Sequence, residues 1–177
     1  YDPNYSSLLG HDVAMINVRG RARGTEYHFE GNSPQMPGAK FRSQMSTIDG
    51  EMACVEGAVG EGGIANGLYS VHIRTLDGVD GGLTGVMLLD DGRILGGDAF
   101  FYYLGTYTSS NGRWKGEIVS QEHTPSKGEV PVFGGHDEVG IGFSGTCDER
   151  GAELEATAFA GKRSIRLTAA LKLMRRA

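Results

Sequence analysis

The clearest pattern along the chain lies near its C-terminus, where Ile165, Leu167, Ala169, Leu171 and Leu173 alternate with Ser164, Arg166, Thr168, Ala170 and Lys172. A strand with one buried face has this two-residue period, because successive side chains point to opposite sides of a sheet; an amphipathic helix would place apolar residues three and four apart. The same alternation predicts strands at about 68–76, 83–90, 93–97, 100–108, 113–122, 138–147, 152–160 and 164–174, with Tyr69, Val71 and Ile73 inward in the first. Turn residues separate them. Asp91-Gly92 and Asn111-Gly112 supply the positive φ angles of tight hairpins, and Arg150-Gly151 and Gly161-Lys162 mark two more. Only the proline- and glycine-bearing stretch 122–137 needs a longer loop.

Eight antiparallel strands joined by short hairpins predict an all-β fold, an up-and-down barrel that closes on itself and leaves no open edge. A two-sheet sandwich is the competing arrangement, but it needs more long crossovers than the one present.

The chain also repeats itself. Residues 11–20, HDVAMINVRG, match residues 136–145, HDEVGIGFSG, at His, Asp, Ile and Gly. The match extends from Gly24-Thr25-Glu26-Tyr27 to Gly151-Ala152-Glu153-Leu154 after a two-residue length change, and from Phe41-Arg42 to Ile165-Arg166. A repeat sets the architecture. Residues 1–48 therefore read as the C-terminal half of a first barrel module, 49–66 as a linker rich in Gly, Ala and Glu, and 67–177 as a complete second module. Three strands cannot close a barrel, so the opening strands of the first module are expected outside this sequence.

Composition narrows the function classes. The 29 glycines fit many turns and bulges, and no apolar run reaches the length of a membrane-spanning helix, so a soluble chain without a membrane partner is expected. The two cysteines, Cys54 and Cys147, have neither CxxC spacing nor a framework around them, which predicts no disulfide and a cytoplasmic setting. A formal charge of −5 opposes nonspecific nucleic-acid binding, which needs a cationic surface.

Several residue groups are candidates for chemistry. Phe101, Tyr103, Tyr107 and Trp114 concentrate aromatics on neighbouring strands, where they fill the barrel or line a pocket for a small apolar molecule. Gly96-Gly97-Asp98 is a binding loop or, more simply, a bulge whose aspartate holds nearby amides. His11-Asp12 and His136-Asp137 recur at the entry to equivalent strands and read as a structural device that pins a loop by hydrogen bonds. Arg19, Arg21 and Arg23 share one strand face, either a solvated surface or a basic stripe for an acidic partner. No nucleophile motif, metal-ligand spacing or phosphate loop accompanies these groups, so no enzyme and no cofactor is expected.

The residues Gly67-Leu68-Tyr69-Ser70-Val71, Gly85-Val86 and Gly92-Arg93-Ile94-Leu95-Gly96-Gly97-Asp98, followed by Tyr103, Gly105 and Tyr107, resemble the pattern of the GrlR family across 67–177. That resemblance implies a small bacterial lipocalin-like barrel that acts by binding protein, as in negative regulation of type III secretion genes through a transcriptional activator. The family's founding member meets its activator through an acidic run on the hairpin after the tyrosine-rich strand. Here that hairpin carries Ser109, Ser110 and Asn111, the positions the resemblance assigns to a partner, with no acidic residue. A homodimer is also compatible with this reading.

Overall fold

The protein is described by a computed structural model covering residues 17–23, 26–33, 36–46, 57–76, 78–80, 83–125 and 138–177. It divides into two units, residues 1–51 and 52–177.

The first unit contains a three-stranded antiparallel sheet of β1 (Asn17–Arg23), β2 (Glu26–Ser33) and β3 (Met36–Ser46), in the order β1-β2-β3. Gly20 pairs with Phe29, and the Cβ that glycine lacks would stand 2.6 Å from the Phe29 ring, so the ring covers the glycine. On the other face Arg19 and Arg21 stand across from polar residues. Arg19 pairs with Glu30, Arg21 with His28 and Arg23 with Glu26.

The second unit is a closed eight-stranded antiparallel barrel. Its strands are β5 (Gly67–Leu76), β7 (Thr84–Asp90), β8 (Arg93–Gly97), β9 (Phe101–Ser110), β10 (Arg113–Glu122), β11 (Glu138–Cys147), β12 (Gly151–Ala160) and β13 (Arg163–Arg176). Each pairs with its neighbour in sequence, and β13 pairs back onto β5, which closes the ring and removes the sandwich alternative. Two short strands are added: β4 (Ala58–Val59), parallel to β9, and β6 (Val79–Asp80), which folds back on β5. The expected hairpins form. Asp91 and Gly92 adopt φ of 43° and 83°, and Asn111 and Gly112 adopt 50° and 72°, the left-handed angles that a tight hairpin needs. Gly151, expected in a turn, instead opens β12; Asp148 makes the turn by accepting N–H bonds from Arg150 at 2.7 Å and Gly151 at 2.9 Å.

The alternation buries Ile165, Leu167, Ala169 and Leu171 of β13 and Tyr69 of β5, as expected from their inward phase. Tyr69, Leu167, Ala169 and Leu171 join Met87, Leu89, Ile94, Tyr107, Trp114 and Phe143 in one core that occupies the barrel interior. A second cluster of Val139, Ala158, Ala160 and Ile165 lies at the start of β11, the end of β12 and the start of β13. Large rings need small neighbours in so narrow a tube: a Cβ on Gly116 would meet the Phe143 ring at 2.7 Å.

The expected linker behaves differently over its last ten residues. Ile64 is 1% exposed and belongs to the barrel core. The backbone around it is bonded to hairpin ends: Gly60 N–H to Ser109 O at 2.7 Å, Asn111 N–H to Glu61 O at 2.8 Å and Gly112 N–H to Gly62 O at 2.9 Å. Residues 57–66 therefore seal one end of the barrel, and Asn66 adds a two-way bond with Asp91.

The sheet of the first unit shares its register with β11–β13. Gly20 pairs with Phe29 as Gly145 pairs with Leu154, and both members are displaced by the same 125 residues, 20 to 145 and 29 to 154. This differs from the sequence match, which inserted two residues between these strands and set Tyr27 against Leu154. In the third strand, Phe41 pairs with Gly31 as Leu167 pairs with Ala156, so Phe41 corresponds to Leu167 and not to Ile165.

Candidate functional site

Of the aromatic group, Tyr107 and Trp114 are buried in the barrel core, and Trp114 alone also borders a hollow. Trp114 is 2% exposed, stands edge-on to Tyr107 with ring centres 6.2 Å apart, lies 4.6 Å from Phe143, and donates its indole N–H to the Glu153 carbonyl at 3.1 Å. Tyr107 and Trp114 fill the interior. Phe101 and Tyr103 are half-buried and pack on the edges of the two clusters. Among the described residues, the Tyr107 hydroxyl and the Ser120 Oγ are buried without a hydrogen-bond partner.

Asp98 caps the connection between β8 and β9. One carboxylate oxygen accepts the N–H groups of Phe100 and Phe101, both at 2.8 Å, and the other accepts the Tyr103 hydroxyl. The ladder continues through Gly96 and Gly97 without a register shift, so these glycines mark no bulge. Gly96 is needed for closeness, since a Cβ there would lie 2.5 Å from the Val86 carbonyl. Replacing Asp98 by Ala should cost about 1–3 kcal/mol, because three donors lose their acceptor. Adding Tyr103→Phe should recover part of that loss by removing the orphaned hydroxyl, and chemical denaturation of the single and double variants reads both effects.

Burial raises the phenol pKa values inside the barrel. Tyr69, whose hydroxyl donates to Ala65 O at 2.7 Å, is pushed up to about 12, first by desolvation and then by neighbouring Tyr107. Tyr103 is raised by burial and then by the bond to Asp98, and Tyr107 by burial. The buried Cys147 thiol is raised for the same reason. An unfolded tyrosine ionises near 10.0 and folded Tyr69 near 12, so the folded state holds the extra proton between those values. Stability fully present below the lower value should fall as the pH climbs toward the upper one. Tyr69→Phe should flatten this slope in denaturation curves taken at about pH 9 and about pH 11; an unchanged slope would remove Tyr69 as its source.

The partner positions separate. Ser109 is 4% exposed and its Oγ accepts the Ile64 N–H at 3.1 Å, so it holds the sealing segment and is closed to a partner. Ser110 and Asn111 are exposed. Arg19 and Arg21 are exposed, but their cross-strand neighbours Glu30 and His28 interrupt a basic stripe; the side chain of Arg23 is outside the described set. His11, Asp12, His136 and Asp137 also lie outside the described residues.

What sequence reasoning missed is on the outer wall. Leu68 pairs with Leu88, Leu88 with Leu95, Leu95 with Leu104 and Leu104 with Val119, so one outward residue from each of β5, β7, β8, β9 and β10 forms an unbroken apolar row. Leu68, Leu88, Leu95 and Val119 are between 37% and 45% exposed, and Val86, beside Leu88 on β7, is 49% exposed. Neighbouring strands stand about 4.8 Å apart, so the row is continuous apolar surface. Its signal in the sequence was the pair of apolar runs Val86-Met87-Leu88-Leu89 and Ile94-Leu95, where both strand faces are apolar.

On the strands β10 to β13 and at the far end of β5 the surface is more polar. A hollow of about 930 Å³ is lined by Arg74, Arg113, Lys115, Glu153 and Glu155 with serine and threonine hydroxyls, and also by Trp114, Leu154 and Ala169; Arg74 pairs with Glu153 at 2.9 Å. Among the described residues, no group of three or more His, Cys, Asp or Glu is placed to hold a metal ion, and no helix is long and apolar enough to cross a membrane. No known family model matches the chain, and no curated protein is significantly similar to it.

Proposed function

We propose that the protein is a non-enzymatic binding module whose working surface is the outer wall of its barrel, centred on the row from Leu68 to Val119. The observation that carries this is a reversal of the usual division for a ligand-carrying barrel: the interior is occupied by Ile64, Tyr69, Tyr107 and Trp114, while exposed apolar side chains line up outside. Scattered surface leucines need no explanation, but a contiguous patch costs solubility and marks a contact site. Negative regulation in a bacterial cytoplasm, by sequestering a transcriptional activator, is the form that the GrlR-like residues of 67–107 favour. The buried Ser109 removes one hairpin position from that contact.

A small apolar ligand inside the barrel is the second reading, and the unpartnered hydroxyls of Tyr107 and Ser120 speak for it. Native mass spectrometry of protein purified from its host separates the two. A mass made up of polypeptide alone is expected, and a stoichiometric lipid would contradict the outer-wall reading.

A further inference from the structure

We infer that the polar hollow is a second binding site on the barrel, for the phosphate monoester of a small sugar. This goes beyond the apolar row and rests on different residues. Two rows of outward side chains cross the hollow from β9 through β10 to β11: Ser110, Arg113 and Thr146 in one, Thr108, Lys115 and Ser144 in the next. All six are exposed. Each cation thus stands between two hydroxyls, and the two cations are neighbours on one face of β10, about 6.7 Å apart along the strand. Among the described residues, neither is ion-paired. Glu117, the next outward residue of β10, does not line the hollow. Like charges placed side by side repel, and an anion that bridges them removes the repulsion.

The array fits a phosphate better than a carboxylate. The two oxygens of a carboxylate are satisfied by the Arg113 fork alone, whereas a phosphate monoester brings nearly two charges and three acceptor oxygens, enough to engage the guanidinium, the Lys115 ammonium and the flanking hydroxyls together.

The size and the far side of the hollow define the rest of the ligand. A volume of about 930 Å³ holds much more than one phosphate and lies in the range of small-molecule sites. Beyond β11 stand Glu153, opposite Thr146, and Glu155, opposite Ser144, two strand spacings or about 9.6 Å from β10. Arg74 takes Glu153, which leaves the Glu155 carboxylate to accept hydroxyl groups from a ligand anchored on the cations. A nucleotide base would need a ring to stack on. The one aromatic residue that borders the hollow, Trp114, is 2% exposed and packs on Tyr107 and Phe143 in the core. A sugar phosphate is therefore favoured over a nucleotide. The site is open to solvent, so its ligand exchanges rapidly and is lost on purification.

Isothermal titration calorimetry of the full chain tests this, with glucose 6-phosphate and ribose 5-phosphate as probes beside inorganic phosphate, glucose and AMP. At least one sugar phosphate should bind about tenfold or more tighter than inorganic phosphate, glucose should not bind, and AMP should bind no tighter than ribose 5-phosphate. Arg113→Gln and, separately, Lys115→Gln should each weaken the sugar phosphate by about tenfold or more, as loss of a charged hydrogen bond does. Glu155→Gln should weaken the sugar phosphate but not inorganic phosphate. Arg166→Gln, an exposed cation of β13 outside the hollow, should bind as the wild type does. So should Leu95→Glu and Phe159→Glu, which lie four strands apart and outside the hollow, so this site and the apolar row fail separately. Sugar phosphates that bind no tighter than inorganic phosphate would overturn the proposal, as would a loss in Arg166→Gln equal to that in Arg113→Gln.

Discussion

Replacing Trp114 by Ala is expected to lower the stability of the barrel by about 3–5 kcal/mol, the usual cost of emptying a large aromatic site that cannot collapse. The site cannot collapse because Trp114 is held from three sides: edge-on by Tyr107, face by tilted face by Phe143, and through its N–H by the Glu153 carbonyl on β12. The chain has a single tryptophan, so the variant must be followed by circular dichroism, whereas the wild type can also be followed by fluorescence. A loss below about 1 kcal/mol would mean that the interior is loosely filled, and the preference for an outer working surface would lose its physical basis.

The second large effect is expected at Ile64. Ile64→Ala should cost about 2–5 kcal/mol, as for a core aliphatic residue, although the position lies in a stretch of glycine, alanine and glutamate. The reason is that Ile64 inserts beside Tyr69 and Tyr107 while its N–H is bonded to the buried Ser109 Oγ. A surface-like loss within about 0.5 kcal/mol in urea denaturation would return residues 57–66 to the status of a linker.

Much of the barrel was legible because its strands obey one rule. Where one face is buried and the other wet, the period of two is written directly into β12 and β13, and the Asp-Gly and Asn-Gly pairs fix the hairpins between β7 and β8 and between β9 and β10. The sealing segment was illegible for a physical reason. It is held by one apolar side chain and by backbone bonds to Ser109, Asn111 and Gly112, and neither leaves a periodic trace.

The aromatic residues were visible as a cluster, but residue type cannot say whether a ring fills a barrel or faces a cavity. That depends on what stands opposite, here Gly116 beneath Phe143 and small alanines along β12. The leucine row was hidden because a search for inward residues discards the other phase; only register aligns Leu68, Leu88, Leu95, Leu104 and Val119 across five strands. Residue identity set Tyr27 against Leu154, whereas sheet pairing sets Phe29 there, because Gly20 meets Phe29 as Gly145 meets Leu154.

The central claim is that function resides on the outer wall and not in the interior. Affinity capture from the native host with the wild type, Leu95→Glu and Phe159→Glu as baits tests it most directly. The account predicts that the wild type and Phe159→Glu retain the same protein in equal amount and that Leu95→Glu loses it. Equal retention by all three baits would contradict it.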